Sequence, residues 1–384
     1  MLTRYRGGMS SATRLRRRLV EHLLAEGVLH DARWMTAFRT VPRHVFLPRF
    51  FVPAANGWVA MQSGDDGWLA RVYSPDVLVI QLDDDSGLWE RARYLGAQPG
   101  TPTSSSSQPS IMAIMLEELR VADGHRVLEI GTGTGYNTAL LCQRLGSGLV
   151  YTVDIDPELV DTARKRLAEA GYAPSCAAAD GAEGYPAGVL YDRILCTCSV
   201  SSIPPAWLEQ TVPGGLVVTT LNRPIGGGLV RIVAGEGATG HGRVLARDGR
   251  FMPLRAHRFK PSKVPDGEAA WRPTRLPMRA ITEVRSRFEF FAGLQLPGVT
   301  ASRDGRHTAL VHPDGSWVRH RQRGDGFEVA EGGPRRLWEL VENAQEEWFD
   351  LGQPGRDRFG LSIDGEDQVI WLDAPDGRTW PLSP

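Results

Sequence analysis

A glycine-rich turn, three acidic residues and a run of serines are the parts of this sequence whose types and spacing could do chemistry. The stretch Val127-Leu128-Glu129-Ile130-Gly131-Thr132-Gly133-Thr134-Gly135-Tyr136 reads as a buried strand that ends in a carboxylate, turns through three glycines and opens a helix. Such a turn lets the backbone approach a ligand closely at the carboxyl edge of a parallel sheet. A dinucleotide-binding turn needs glycine at the sixth position of GxGxxG, where the helix packs on the strand beside the pyrophosphate. Tyr136 stands there instead, which argues against a nicotinamide enzyme. The spacing is GxGxG with Glu129 two residues ahead, and a carboxylate at that place repels an anion. It suits the cationic amino group of S-adenosylmethionine. Asp154 closes the next strand signal, where a carboxylate can accept from both ribose hydroxyls. Asp180-Gly181 follows the strand-like run Ser175 to Ala179 and is placed for the adenine edge.

Thr103-Ser104-Ser105-Ser106-Ser107-Gln108-Pro109 precedes an apolar helix signal, and proline suits a first helical position. The serines then lie at a helix mouth, where free N–H groups and the positive dipole end can seat a carboxylate. A serine-rich helix cap is the alternative. A carboxylate with an ordinary pKa near 4 is ionised at neutral pH and attacks a sulfonium methyl without a general base, so positioning is the main task.

These residues require a doubly wound α/β sheet. Helix signals fall at Pro109 to Leu119, Tyr136 to Leu145, Pro157 to Ala170 and Pro205 to Gln210, with Asp156 as the cap of the third. Strand signals fall at Arg126 to Ile130, Leu149 to Ile155, Arg193 to Thr197 and Leu216 to Leu221. An N-terminal helix is expected over Leu15 to Val28, with Arg16 to Arg18 on its solvated face. The segment Trp58 to Gly100 shows one strand signal, Val77 to Leu82, followed by an acidic turn, Asp83 to Asp85, for which a metal role stays open. Prolines 261, 265, 273 and 277 mark a linker-like stretch. Beyond it, turn signals at Pro313-Asp314-Gly315, Asp364-Gly365 and Pro375-Asp376-Gly377 and a helix signal from Arg335 to Phe349 indicate a small α+β domain. The expected division is a methyltransferase domain over 1–255 and a C-terminal α+β domain over 256–384, for substrate recognition. The tail tryptophans 317, 338, 348, 371 and 380 read mainly as its core.

A formal net charge of -1 leaves no field that gathers nucleic acid or anionic lipid. The hydrophobic fraction of 42% and charged fraction of 23% are those of a globular chain, and no stretch has the length and apolarity of a membrane span. A cytoplasmic protein is expected. Cys142, Cys176, Cys196 and Cys198 lack metal-ligand spacing and read as reduced core thiols, so no metal is expected.

Read together, Val41-Pro42-Arg43 with Phe46, Tyr73-Ser74-Pro75-Asp76, Ser107-Gln108-Pro109, Leu128 to Tyr136, Asp180-Gly181 with Gly184, Tyr191-Asp192, Gln210 with Pro213-Gly214-Gly215, and Phe251-Met252-Pro253-Leu254 resemble the protein-L-isoaspartate O-methyltransferases. The resemblance covers about residues 14 to 255. It implies a Rossmann-like class I methyltransferase fold and an S-adenosylmethionine site lined by Glu129, Gly131, Gly133, Gly135, Asp154, Asp180 and Gly181. It makes Ser107 the active-site serine, with Ser106 and Tyr73 beside it toward the substrate. Two departures stand out: Trp58 to Gly100 looks longer than its counterpart, and repair enzymes of the family generally stop near Leu254. The serine run and the tail resemble the longer actinobacterial members that methylate an aspartate in a cyclised, ribosomally made peptide, after which the next amide closes an aspartimide. Repair of isoaspartate in damaged proteins, and a non-catalytic peptide-binding scaffold, remain alternatives; the oligomeric state is open.

Overall fold

The computed structural model describes residues 3–186, 188–259, 263–265, 267, 269–283, 285–304 and 307–382. Compactness divides the chain into two units that interleave in sequence. The first comprises Met1–Cys198, Pro204–Thr219 and Val233–Ala238, and the second Ser199–Ile203, Thr220–Ile232 and Thr239–Pro384. Residues 199–203, 220–232 and 239–255, expected to belong with the methyltransferase domain, thus group with the tail.

In the first unit the strands are β1 (Arg49–Ala54), β2 (Gly57–Gln62), β3 (Leu78–Leu82), β4 (Pro102–Ser106), β5 (Val127–Ile130), β6 (Val150–Asp154) and β7 (Ser175–Ala178), with most of β8 (Tyr191–Val200) and β9 (Thr211–Leu221). The larger sheet runs β9-β8-β5-β6-β7. β5 pairs parallel with β6 on one side and β8 on the other, and β6 pairs parallel with β7. The strand order therefore reverses between β5 and β8, the place where open α/β sheets hold ligands. Val127, Leu128 and Ile130 are buried on both faces, as a covered parallel strand requires.

The helices Pro109–Glu118, Tyr136–Leu145 and Pro157–Glu169 match their sequence signals to within a residue, because each begins at a local stop in the backbone. Proline opens the first and third, and Asp156 caps the third by accepting from the N–H groups of Glu158 and Leu159. The N-terminal helix, Thr3–Ala25, buries Leu19, Val20 and Leu23 and exposes Arg17 and Arg18.

The smaller sheet, β2-β1-β3-β4, was largely invisible in the sequence. β1 and β2 form a hairpin registered from Arg49↔Gln62 to Ala54↔Gly57. β4 is the serine run itself, paired antiparallel with β3 through Leu78↔Ser106 and Val79↔Ser105. Ser104, Ser105 and Ser106 are therefore strand residues, and among the described residues no side chain caps the helix at Pro109. Asp83 and Asp84 form a turn in left-handed backbone, and Asp85 accepts from the Gly87 N–H at 2.7 Å and pairs with Arg91. Among the described residues no group of three His, Cys, Asp or Glu is placed to hold a metal ion.

The second unit contains β10 (Gly228–Ala234, to Ile232), β11 (Thr239–Val244), β12 (Arg272–Thr274), β13 (Thr300–Asp304), β14 (His307–Val311), β15 (Trp317–Arg323), β16 (Gly326–Gly332), β17 (Phe359–Asp364), β18 (Asp367–Leu372) and β19 (Thr379–Pro381). β11, β17, β18 and β19 pair antiparallel in that order, and a second antiparallel sheet runs β12-β16-β15-β14-β13. The helices Glu289–Gln295 and Leu337–Asp350 supply the cover, with Phe290, Phe291, Phe359 and Trp380 stacked at 5.1–6.4 Å between ring centroids. The five tail tryptophans are buried, whereas Phe349 is exposed.

Candidate cofactor and acceptor site

The glycine turn is held from below by Glu129. Its side chain is fully buried, and both oxygens are taken: Oε1 accepts from Asn137 Nδ2 at 2.7 Å, and Oε2 accepts from the hydroxyls of Thr138 and of Thr152, the latter at 2.9 Å. Thr152 Oγ1 also lies 2.7 Å from Thr132 Oγ1, so the network reaches the turn. Burial raises the Glu129 pKa from 4.5 to about 7, despite the three donors, which favour the ionised form. The sequence points this carboxylate at a ligand amino group; its observed partners are instead Asn137, Thr138 and Thr152. Asn137 and Thr138 were findable, since they sit eight and nine residues after Glu129 in the first turn of the helix the loop opens.

Close packing explains the glycines. A Cβ on Gly131 would lie 2.8 Å from Thr197 Oγ1 and 3.0 Å from Cys198 Sγ, and its φ of +95° lies in backbone that only glycine takes freely. The Gly131 N–H donates to Val153 O at 2.8 Å and Thr197 Oγ1 donates to Gly131 O at 2.9 Å, tying the turn to β6 and β8. Gly133 donates its N–H to Asp154 Oδ2 at 2.9 Å. Its Cβ position would be 3.5 Å from Ser105 O and 3.9 Å from Ser104 Oγ, which puts the serine strand directly over the turn.

Asp154 is half-buried at the end of β6, and the Ala179 N–H donates to its main-chain oxygen at 3.0 Å, so Asp154 and Asp180 end neighbouring strands. Asp180 is exposed and accepts from the Ala182 N–H at 2.9 Å; Gly181 is buried, its carbonyl taken by Trp207 Nε1 at 2.8 Å. The structure therefore brings Gly131, Gly133, Gly135, Asp154, Asp180 and Gly181 to the carboxyl edge of three adjacent strands.

On the acceptor side, Ser107 is half-buried just beyond β4, but Ser106 and Tyr73 turn inward. Ser106 is 4% exposed and Tyr73 5%; the Tyr73 hydroxyl lies 2.7 Å from His44 Nδ1 within a core that includes Leu47, Phe50 and Val72. The expectation that both face substrate is thus corrected by strand alternation and by that hydrogen bond. Arg43 organises this region. Its guanidinium is wholly buried and donates to Val72 O at 2.9 Å, Ser74 O at 3.2 Å, Ser107 O at 3.1 Å and Ser106 Oγ at 3.4 Å, with its Cζ 5.7 Å from the Tyr136 ring centre. Burial lowers its pKa to about 10. One cation thus clamps the 72–74 turn, the end of β4 and the first residue after the glycine turn.

A 3-2-1-4-5 sheet with a GxGxG turn at its switch point defines a Rossmann-like class I methyltransferase fold. The family model for protein-L-isoaspartate(D-aspartate) O-methyltransferase (PCMT) matches residues 89–239. A protein-L-isoaspartate O-methyltransferase of Methanosarcina mazei is 34% identical over 207 residues, 53% of this chain and 69% of that one. One from Thermococcus onnurineus is 35% identical over 52% of this chain and 74% of its own. The protein-L-isoaspartate O-methyltransferase 2 of Shewanella sediminis is 31% identical over 67% and 89%. The chain belongs to the protein-L-isoaspartate O-methyltransferase family. A solved structure of that name, 23% identical, shares the fold with a TM-score of 0.53 across 94% of this chain and all of its own.

Proposed function

We propose that the protein is an S-adenosylmethionine-dependent carboxyl O-methyltransferase that esterifies an aspartyl-type side chain at Ser107. The observation that supports this is the seating of the serine strand on the glycine turn, where a Gly133 Cβ would lie 3.5 Å from Ser105 O, two residues ahead of Ser107. The donor set fits the cofactor. Asp154 and the amides around Gly133 suit ribose and methionine, Asp180 and Gly181 suit the adenine edge, and Glu129 fixes the loop that carries them. S-adenosylmethionine supplies an electrophilic methyl group on a sulfonium, which departs as the neutral thioether when the carboxylate oxygen takes the methyl. The Ser107 hydroxyl donates to that carboxylate, the uncapped helix at Pro109 adds its positive end, and Arg43 holds Ser106 and Ser107 from behind.

For the acceptor, we favour an aspartate in a cyclised, ribosomally made peptide, with aspartimide as the later product. The serine run and the resemblance to peptide-tailoring members support it; the names of the curated relatives support isoaspartate repair. The second unit, with its own sheets, is the candidate for acceptor recognition. Because residues 199–203 and 220–232 are part of that unit, substitution tests it better than truncation. The deciding experiment incubates the protein with S-adenosylmethionine and matched linear and cyclic peptides bearing Asp or isoAsp, with methyl ester and dehydrated product followed by mass spectrometry. Ester on ring-borne Asp supports tailoring, ester on isoAsp in generic peptides supports repair, and none on any peptide overturns the carboxyl-transfer reading.

A further inference from the structure

We propose that Gln81 is a positioning residue for methyl transfer: it ties the serine strand to the strand end that carries Asp154, and so fixes the spacing between the acceptor and cofactor halves of the site. This rests on the carboxyl-methyltransferase reading and adds to it a residue that acts through others.

Gln81 is the one polar residue of β3, a strand otherwise built of Leu78, Val79, Ile80 and Leu82, and it is 6% exposed. An amide buried among such neighbours costs free energy unless both of its ends are bonded, and here both are. The pairing of β3 with β4 shifts register on each side of Gln81, between Val79 and Gln81 and again between Gln81 and Leu82, and a break of that kind re-aims the side chain it carries. The amide reaches out of its own sheet: Nε2 donates to Asp156 Oδ2 at 2.7 Å, on the segment that follows β6. Oε1 accepts from the Thr103 hydroxyl at 3.0 Å, on β4.

The orientation of the amide is dictated by its partners. The Thr103 hydroxyl accepts from the Asp84 N–H at 3.0 Å and gives its own hydrogen to Gln81 Oε1, which leaves the amide nitrogen for the Asp156 carboxylate. Asp156 carries the tie inward. Its Oδ1 caps the helix at Pro157, and its N–H donates to Asp154 Oδ1 at 3.2 Å, while Asp154 Oδ2 takes the Gly133 N–H at 2.9 Å. A continuous chain of hydrogen bonds thus runs from Thr103, on the strand that leads to Ser107, through Gln81 and Asp156 to the carboxylate suited to ribose. Each half of the site has separate support: Arg43 holds Ser106 and Ser107, and Gly133 and Asp156 hold Asp154. The bridge therefore bears on the distance between the halves more than on either one. In-line transfer is sensitive to that distance, since a misplacement of about 1 Å costs on the order of 100-fold in rate.

The test measures kcat and KM on the Asp and isoAsp peptides above, S-adenosylmethionine Kd by calorimetry and urea midpoints, on the full protein, for wild type, Gln81→Met, Thr103→Val, the double variant and Gln81→Glu. Gln81→Met should lower kcat about tenfold or more while the cofactor Kd and the peptide KM stay within about twofold. Thr103→Val should lower kcat in the same direction, and the double variant should be no slower than Gln81→Met, because both substitutions open one bridge. Gln81→Glu sets a second carboxylate against Asp156, so its kcat should fall more steeply than that of wild type as pH rises from about 5 to about 8, with the cofactor Kd unmoved. A kcat in Gln81→Met within about twofold of wild type, a loss of kcat matched by a loss of cofactor affinity, or additive effects in the double variant overturns the positioning role. If the urea midpoint shows Gln81→Met to be unfolded, Thr103→Val decides by the same split between kcat and Kd. No methylation of any peptide by wild type overturns the proposed reaction, and this role with it.

Discussion

Replacing Glu129 by glutamine should make the protein more stable at pH 8 and less stable at pH 5. In the unfolded chain this carboxyl ionises near 4.5, and in the folded protein near 7, because burial disfavours the charge. The folded pKa is the higher one, so ionisation favours unfolding. The group costs almost nothing below pH 4.5, costs progressively more as pH rises to 7, and levels off above it. At 1.36 kcal/mol per pKa unit the full penalty is about 3 kcal/mol, and roughly 2 to 3 kcal/mol of it develops between pH 5 and pH 8. Glutamine does not titrate. Its Oε1 can accept from Thr138 and Thr152, while its Nε2 can donate to Asn137 Oδ1, an atom now buried without a partner, once that amide turns over. That exchange leaves Asn137 Nδ2 short of an acceptor and costs about 1 kcal/mol at low pH. Urea unfolding followed by tryptophan fluorescence, with variant and wild type compared at each pH, cancels the other titrating groups. A difference between the two that does not move with pH would refute the assignment of a raised pKa to Glu129.

The remaining predictions concern the turn and its clamp. Gly131→Ala should cost roughly 2 to 4 kcal/mol, since a methyl strikes Thr197 and Cys198 in left-handed backbone, whereas Gly133→Ala, whose methyl would sit in ordinary contact 3.5 Å from Ser105 O, should cost only the left-handed backbone, about 1 kcal/mol; thermal denaturation that ranks them the other way contradicts the packing described. Arg43→Met should destabilise by about 3 kcal/mol by leaving one buried and two half-buried carbonyls without donors, and Arg43→Lys by less, as read from denaturant midpoints. Ser107→Ala should lower kcat by about tenfold or more and leave the S-adenosylmethionine Kd unchanged by calorimetry; a matching loss of cofactor affinity would remove Ser107 from the acceptor side.

How far the sequence could be read depended on whether a residue's role was local. The helix from Tyr136 and the helix from Pro157 were legible because glycine, proline and Asp156 set their starts through the backbone itself. β4 was not, because a serine run has no apolar alternation; it is a strand only because Leu78–Leu82 supplies the partner. Tyr73 and Ser106 looked available because both are polar and sit in motifs that carry the family resemblance. Only the fold shows that His44 and Arg43 claim them. Glu129 was identified from its place two residues before the turn, but the three donors that occupy it come from two other elements. The interleaving of the two units had no local mark either, since β8 and β9 each run across the division without a break in pattern.

Two opposite charges are buried against the first turn of the helix that leaves the glycine loop, and among the described residues neither has a counter-ion in bonding range. Glu129 is held by neutral donors, two of them on Asn137 and Thr138, and Arg43 by main-chain carbonyls, with its guanidinium against Tyr136. The arginine keeps its charge at every physiological pH, because even its lowered pKa is about 10, whereas the glutamate changes state near 7. Raising the pH through 7 therefore has two effects of opposite sign. The global fold loses stability, because a buried carboxylate is being charged, and the bonds from Asn137 and Thr138 strengthen, because charged acceptors bind donors harder than neutral ones. The loop thus becomes better ordered as the protein becomes less stable. A bound cation near Glu129 would pull its pKa down and uncouple the two effects, so S-adenosylmethionine affinity that rises from pH 6 to 8 in wild type but stays flat in Glu129→Gln would place the cofactor's ammonium within reach of that charge. Parallel, flat profiles would restrict Glu129 to shaping the loop.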